Sequence, residues 1–193
     1  MKFASSKNKK GFSLIEMLLV LGVLAVLLVA AFVVYPRVRD ASRANNEVAN
    51  LTAIKASINN LYATKGGNYT GLKTGVANQA RAFPASMNSG VYTDTQEITS
   101  SWGGAVTITD VATTNARSFG LQYADVPEGV CLGLVSGAAG NFSDVQVASK
   151  SVFKGGTTTG TGPTATTVGG SFDPTLAAEN CGNGNKTVKF ISN

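Results

Sequence analysis

The amino-acid sequence predicts an α+β fold in which one long N-terminal helix packs on an antiparallel β-sheet. A predominantly apolar run extends from Phe12 to Val34, and a stripe of apolar residues at three- and four-residue steps continues behind it. Short segments in which apolar and polar residues alternate follow beyond residue 104. Helical spacing of apolar residues predicts a helix and alternation predicts half-buried strands, so the helix precedes the sheet along the chain.

The positive charge of the chain is concentrated at its N-terminus. The formal net charge is +5 at pH 7, with 16 lysines and arginines against 11 aspartates and glutamates. Four lysines precede Phe12 with no acid among them, namely Lys2, Lys7, Lys9 and Lys10. The rest of the chain is nearly neutral and has no stripe of basic and aromatic residues, so we expect no binding to nucleic acid.

The apolar run is long enough to cross a membrane. At about 1.5 Å per residue, a helix of this length covers a hydrocarbon core of roughly 30 Å. A secretory signal peptide has a shorter apolar region of about 7 to 15 residues, and a plain anchor excludes charges from its core. Glu16 therefore requires a partner. A cut between Gly11 and Phe12 would provide one, because it creates an α-amino group that the carboxylate can neutralise.

The stretch Lys-Lys-Gly-Phe-Ser-Leu-Ile-Glu, followed by apolar residues, resembles the N-terminus of a type IV prepilin. The resemblance implies that a prepilin peptidase cleaves after Gly11 and methylates the new amine of Phe12. It also implies that Glu16 is the acid that acts in assembly at the fibre core. Residues 1–11 are then a leader peptide, and residues 12–35 form a hydrophobic transmembrane and fibre-core helix.

Residues 36–63 are predicted to form the amphipathic second half of the same helix. Pro36 removes one backbone hydrogen bond and predicts a kink, whereas Gly66 and Gly67 end the helix. The resemblance implies that the leader lies inside the cell and the C-terminal domain outside, although arginines behind Pro36 compete with the leader lysines in the positive-inside count. The apolar stripe is predicted to be the buried side of this helix, and it consists of Val38, Ala41, Ala44, Val48, Leu51, Ile54, Ile58 and Leu61.

The C-terminal part is predicted to contain a loop and a sheet. Residues 64–104 form an αβ-loop with many turn signals, and residues 105–193 form the C-terminal β-sheet domain. Strands are predicted at 105–109, at 119–123, around Val145 and Val147, and at 186–191.

Two short helices and one further loop complete the prediction for this domain. Pro127 opens a helix that ends near residues 137–140, with a strand as the alternative, and Asp173 caps a second helix. The glycine- and threonine-rich tract 155–170 has little to bury and is predicted to be an exposed loop.

The two cysteines, Cys131 and Cys181, favour a disulfide. A closed zinc site needs four ligands, and histidine is absent from the sequence. A redox pair is the other alternative, but no Cys-x-x-Cys motif occurs. Behind an export-type N-terminus, the pair indicates an oxidising compartment and a covalent loop over residues 131–181.

The order of these elements resembles the type IVb pilins, a group that includes bundle-forming, toxin-coregulated and plasmid thin-pilus subunits. The features that carry the resemblance are the Trp-Gly-Gly sequence at residues 102–104, the cysteine spacing, and a closing strand behind Cys181. The resemblance implies the type IV pilin fold with a C-terminal disulfide. The short leader and Phe12 depart from this group and are typical of the IVa pilins.

No catalytic constellation emerges from the sequence. The chain has no histidine, so the usual serine triads are excluded. Asp125 and Glu128 flank a proline and are interpreted as solvated or capping acids, and the tract at 155–170 lacks the lysine of a phosphate-binding loop. We therefore expect neither an enzyme nor a cofactor or metal site.

The family resemblance implies the function of a major structural subunit of a type IV pilus. Such a chain is inserted in the bacterial inner membrane, processed by prepilin peptidase, and polymerised with itself into an extracellular filament for adhesion, aggregation or conjugative contact. Its further partners are an assembly ATPase, an inner-membrane platform and an outer-membrane secretin. The alternatives are a pseudopilin of a type II secretion system and a minor tip pilin.

Overall fold

The computed structural model describes residues 11, 13–111, 116–154, 157–159, 166–168 and 170–192. The helices are α1 (Leu14–Tyr62), α2 (Thr74–Gln79), α3 (Glu128–Ala138) and α4 (Pro174–Cys181), with 3₁₀ turns at Ala63–Lys65 and Ala139–Asn141. The strands are β1 (Val106–Asp110), β2 (Phe119–Val126), β3 (Asp144–Val147), β4 (Lys150–Ser151), β5 (Phe153–Lys154), β6 (Thr157–Thr159), β7 (Thr166–Val168), β8 (Ser171–Phe172) and β9 (Lys186–Ser192).

The contacts of the chain divide it into two units, Met1–Arg39 and Asp40–Asn193. Helix α1 contributes to both of them, and Pro36 lies inside this helix. In the second unit, α1 is followed by the 3₁₀ turn, where Gly66 adopts φ +63° and donates its N–H to the carbonyl of Ala63. A left-handed glycine satisfies a terminal carbonyl without steric cost, so the predicted end of the helix is confirmed.

The buried stripe of α1 differs in part from the predicted one. Its buried residues are Ala44, Glu47, Leu51, Ile54, Ile58 and Tyr62, and Val48 is half-buried. Val38, Ala41 and Leu61 are exposed, so these three residues were wrongly assigned to the stripe. With 3.6 residues per turn, the buried face that continues from Leu51 and Ile58 reaches Tyr62 rather than Leu61. Ala44 is the first residue of α1 that joins the core.

A five-stranded antiparallel sheet has the order β1-β2-β9-β3-β4. The C-terminal strand β9 lies at its centre, and Phe190 is paired with Leu121 of β2 on one side and Val145 of β3 on the other. These side chains are fully buried and belong to the same core as Leu51 and Ile54 of α1. The predicted fold class, a long helix packed on an antiparallel sheet, is confirmed.

The predicted αβ-loop contains a short helix that the sequence did not reveal. Helix α2 has six residues, and its buried Asn78 donates its side-chain amide to the carbonyls of Val91 and Thr93. Isolated bridges pair Lys73 with Thr109 and Thr99 with Ala105. The side chain of Asn78 therefore ties α2 to a later part of the same loop, and the backbone bridges hold the loop to β1 and the residue before it. These bonds satisfy groups that burial would otherwise leave unpaired.

The glycine- and threonine-rich tract was predicted to be an exposed loop, and this prediction is wrong in part. Strand β5 pairs with β8, and β6 pairs with β7 through Thr157↔Val168 and Thr159↔Thr166. Threonine is β-branched and suits a strand even where apolar residues do not alternate. Residues 155, 156, 160–165 and 169 of this tract lie outside the described part of the chain.

The helix predicted behind Pro127 is confirmed as α3, and its strand alternative is wrong. Three glycines four residues apart face three α1 residues that are also four apart: Gly129 faces Asp40, Gly133 faces Ala44 and Gly137 faces Val48. A Cβ atom at Gly133 would lie 3.1 Å from the Ala44 side chain, and one at Gly137 would lie 2.9 Å from Val48. The absence of side chains on this face lets α1 and α3 approach closely.

Helix α4 begins as the sequence predicts. The Asp173 carboxylate accepts hydrogen bonds from the backbone N–H groups of Thr175 (2.8 Å) and Leu176 (3.3 Å), and Pro174 occupies the first helical position. Both features match the known preferences of helix N-termini.

Candidate functional site

The residues of the predicted processing site lie just before α1. Gly11 is exposed, and a Cβ atom there would have no neighbour within 4 Å. Phe12 lies outside the described residues. Helix α1 begins at Leu14, and the backbone N–H of Glu16 donates to the carbonyl of Ser13 (3.0 Å). Glu16 thus occupies the first turn of the helix with its side chain exposed, and a carboxylate is electrostatically favourable at this end of a helix.

The unit Met1–Arg39 presents an apolar surface along the described part of α1. Its large apolar side chains between Leu14 and Val38 are 46% to 77% exposed. By length and composition this helix can cross a membrane, and the 18-residue window that qualifies has none of its residues buried. An apolar surface of this extent marks a site that lipid or another protein covers, because burial of each such side chain stabilises the covered state by about 1.5 to 3 kcal/mol.

The two cysteines join α3 to α4. Cys131 and Cys181 form a disulfide with a Cα–Cα distance of 5.7 Å, across a sequence separation of 50 residues. Both residues are buried in the core. The disulfide predicted from the sequence is therefore confirmed as part of the fold.

Replacement of both cysteines by alanine is expected to lower the stability of the folded chain by about 2 to 4 kcal/mol, because the bond restricts the unfolded ensemble. For a domain of this size, that loss lowers the unfolding midpoint by roughly 5 to 15 °C. Circular dichroism of the full-length chain in detergent measures this midpoint. The native chain treated with a reductant is the matched control, and an unchanged midpoint in both samples would contradict the expected contribution.

The carboxylate of Glu47 is buried, although the sequence does not indicate a role for it. It is 1% exposed, and its Oε1 atom accepts a hydrogen bond of 2.7 Å from the backbone N–H of Ser101, while Oε2 accepts from Asn50 at 3.3 Å. Burial raises the pKa of Tyr123 well above its usual value, and the negative charge of Glu47 raises it further. The signal for its burial in the sequence is its position, because Glu47 is an acid on the helix face between Ala44 and Leu51.

Glu47 contacts the turn that carries the Trp-Gly-Gly sequence. The indole nitrogen of Trp102 donates to the carbonyl of Ala124 (3.1 Å), and its half-buried ring packs on Tyr123 at 5.7 Å between centroids. Gly103 has φ +86°, and a Cβ atom at Gly104 would overlap the Ala124 carbonyl oxygen. These contacts fix the chain where it enters β1, and they connect α1 to the first two strands.

The two acids that flank Pro127 lie at the surface. Asp125 has φ +52° at the irregular end of β2, and Glu128 accepts a hydrogen bond of 3.5 Å from the backbone N–H of Gly184. Both are exposed, as predicted for solvated acids. Within the described ranges, no three acidic or cysteine residues lie close enough together to hold a metal ion.

Comparison with known proteins identifies two family models along the chain. The model described as PilS N terminal matches residues 41–193, and the model described as prokaryotic N-terminal methylation motif matches residues 6–32. Major structural subunits of the bundle-forming pilus from two Escherichia coli strains are each 24% identical over 135 residues, which is 70% of this chain and 68% of theirs.

A solved structure has a similar fold. The crystal structure of TcpA, a type IV pilin from the El Tor biotype of Vibrio cholerae, matches with a TM-score of 0.50 and 16% sequence identity. The match covers 80% of this chain and 99% of that one.

Proposed function

Because this chain belongs to the PilS N-terminal family and is a type IV pilin of the IVb-like group, we propose that it is the major structural subunit of a surface filament. The observation that carries the proposal is the exposed apolar surface of α1, most of which lies within the match to the N-terminal methylation motif at residues 6–32. Such a surface needs lipid before assembly and neighbouring helices afterwards. The chain is similar to structural subunits, so its role is to assemble rather than to catalyse a reaction.

The first step of the proposed function is processing at the N-terminus. A prepilin peptidase cuts between Gly11 and Phe12 and methylates the new amine of Phe12. Gly11 is exposed, and a Cβ atom placed there has no neighbour within 4 Å among the described residues, which supports access by a protease. Removal of residues 1–11 also removes all four leader lysines, so the helix loses the charges that hold its N-terminus in the cytoplasm.

The second step is polymerisation through α1. The apolar side chains between Leu14 and Val38 leave the inner membrane, which the helix spans once, and pack against the same helices of other copies. Glu16 neutralises the ammonium group of Phe12 in this dry environment, because an unpaired charge there would cost several kcal/mol. An assembly ATPase, an inner-membrane platform and an outer-membrane secretin are the partners proposed for this step.

The filament acts outside the cell in adhesion, aggregation or conjugative contact. The disulfide supports this location, since such bonds persist in oxidising compartments. The chain is similar to major structural subunits of the bundle-forming pilus, and this similarity supports a role in a filament.

The intact mass of the chain in material sheared from the cell surface tests this proposal. Under non-reducing conditions, we expect a chain that begins at Phe12, one methyl group heavier and two hydrogens lighter than its sequence. Recovery of a processed chain only in the cell envelope would favour a pseudopilin, and very low abundance at the surface would favour a minor tip pilin. A chain that retains residues 1–11 would remove the basis of the proposal.

A further inference from the structure

Two exposed arginines follow directly behind the apolar part of α1. Arg37 and Arg39 are exposed, as is Tyr35, whose side chain is 67% accessible. Among the described residues, neither guanidinium group has an ion pair or a hydrogen bond. Arginine is always charged at physiological pH and presents a planar set of donors that matches a phosphate group. Two such groups therefore lack a counter-charge within the folded chain that the structure describes.

The position of these arginines along the helix corresponds to the depth of lipid headgroups. From Leu14 to Tyr35 the helix rises by roughly 32 Å, close to the hydrocarbon thickness of a bilayer. Tyr35 then occupies the interface, where tyrosine is enriched, and the two arginines begin about 3 and 6 Å beyond it. Their charges lie where the phosphates of the lipids are.

The angular positions of the two arginines favour lipid over a single protein partner. Residues two apart on a helix are separated by about 200°, so Arg37 and Arg39 point to opposite sides of α1. One neighbouring carboxylate cannot neutralise both groups, whereas lipid headgroups surround a spanning helix on all sides. Positive charges on the outer flank also oppose the usual charge asymmetry of a spanning helix, and anionic lipid would compensate for this cost.

We propose that Arg37 and Arg39 bind the phosphate groups of anionic lipids in the outer leaflet of the membrane, and so hold the subunit at a fixed depth before assembly. This inference rests on the membrane stage of the proposed function. The contacts would be broken when the helix leaves the bilayer, so these lipids favour the membrane-bound subunit over the filament.

Quenching by brominated lipids tests the proposal on the full-length chain in vesicles. A Tyr35→Trp substitution places a reporter beside the arginines, and subtraction of the signal of the unsubstituted chain removes the contribution of Trp102. Vesicles of phosphatidylcholine contain either brominated phosphatidylglycerol or brominated phosphatidylcholine at the same mole fraction. Because the two arginines lie on opposite sides of the helix, one lipid contacts one arginine, and a nearby basic residue contributes about 1 kcal/mol. We therefore expect the anionic lipid to bind about five times more strongly at the reporter.

The variant Arg37→Ala/Arg39→Ala is expected to reduce this preference to about one. The matched control Arg81→Ala/Arg117→Ala removes the same charge from exposed arginines of the unit Asp40–Asn193 and should retain the preference. Added inorganic phosphate should leave the preference for the anionic lipid unchanged, because the site requires a phosphate held at the bilayer surface. Competition by free phosphate would overturn the assignment to lipid.

Equal quenching by both lipids in the Tyr35→Trp chain that retains both arginines would overturn the inference and leave the proposed filament role intact. Absence of quenching by either lipid would overturn the membrane stage and the inference together. If the arginine variant keeps the lipid preference but loses chemical cross-links between copies, the arginines bind carboxylates of a second copy instead, and the proposal is wrong.

Discussion

Replacement of Glu16 by alanine is expected to abolish filaments while the chain remains stable in the membrane. The substitution removes the only acid in the apolar part of α1, so the amine of Phe12 would enter the filament core as an unpaired charge. The folded unit Asp40–Asn193 does not contain Glu16 and should be unaffected. Immunoblots of sheared surface material and of membranes measure the two outcomes separately.

Two further variants sharpen this prediction. Glu16→Gln keeps the shape of the side chain and removes its charge, so we expect the same loss of filaments if the charge is the essential property. Ser13→Ala is the matched control in the same stretch, because the Ser13 carbonyl that accepts from Glu16 and Met17 is retained. Filaments in normal amounts from Glu16→Ala would disprove the proposed pairing with Phe12.

Replacement of Gly104 by alanine is expected to destabilise the second unit by about 3 kcal/mol or more, at the upper end of overpacking costs. The new Cβ atom would overlap the carbonyl oxygen of Ala124 and lie 2.7 Å from the indole nitrogen of Trp102. Both are held in place, because the Trp102 nitrogen donates to that carbonyl and Ser100 donates to the Gly104 carbonyl. Thermal unfolding of the full-length chain in detergent should show a midpoint lowered by roughly 6 to 12 °C.

Gly140→Ala provides the control for this substitution. A Cβ atom at Gly140 has no neighbour within 4 Å, so the same chemical change should leave the unfolding midpoint close to that of the native chain. Equal midpoints for the two variants would show that the backbone at Gly104 can move away from Ala124 without cost.

The helices and strands that can be predicted from the sequence are those whose apolar residues recur at a regular spacing. Leu51, Ile54 and Ile58 were assigned correctly because their spacing follows the helix. Glu47 was missed because hydrophobic patterns count it as polar, although the N–H of Ser101 and the amide of Asn50 make its burial possible. A partner 54 positions away in sequence cannot be recognised from local spacing.

Short and long-range features were less predictable for similar reasons. Helix α2 has only six residues and is fixed by the side-chain hydrogen bonds of Asn78 rather than by an apolar face. The sheet order places β9 between β2 and β3, and such pairings depend on tertiary packing that local patterns do not contain. The residues proposed for processing and assembly, Gly11, Phe12 and Glu16, lie by contrast within one short stretch of sequence, so a local pattern is enough to indicate them.

The disulfide also has a consequence for how this protein can vary. The chain between Cys131 and Cys181 forms a covalent ring, and inside that ring Lys154 of β5 is paired with Ser171 of β8. The two ends of the segment between these residues are therefore held side by side, and the length of the segment does not change the distance between Lys154 and Ser171. Since the entropic cost of a longer loop grows only slowly, foreign peptides inserted there can be carried by the folded subunit.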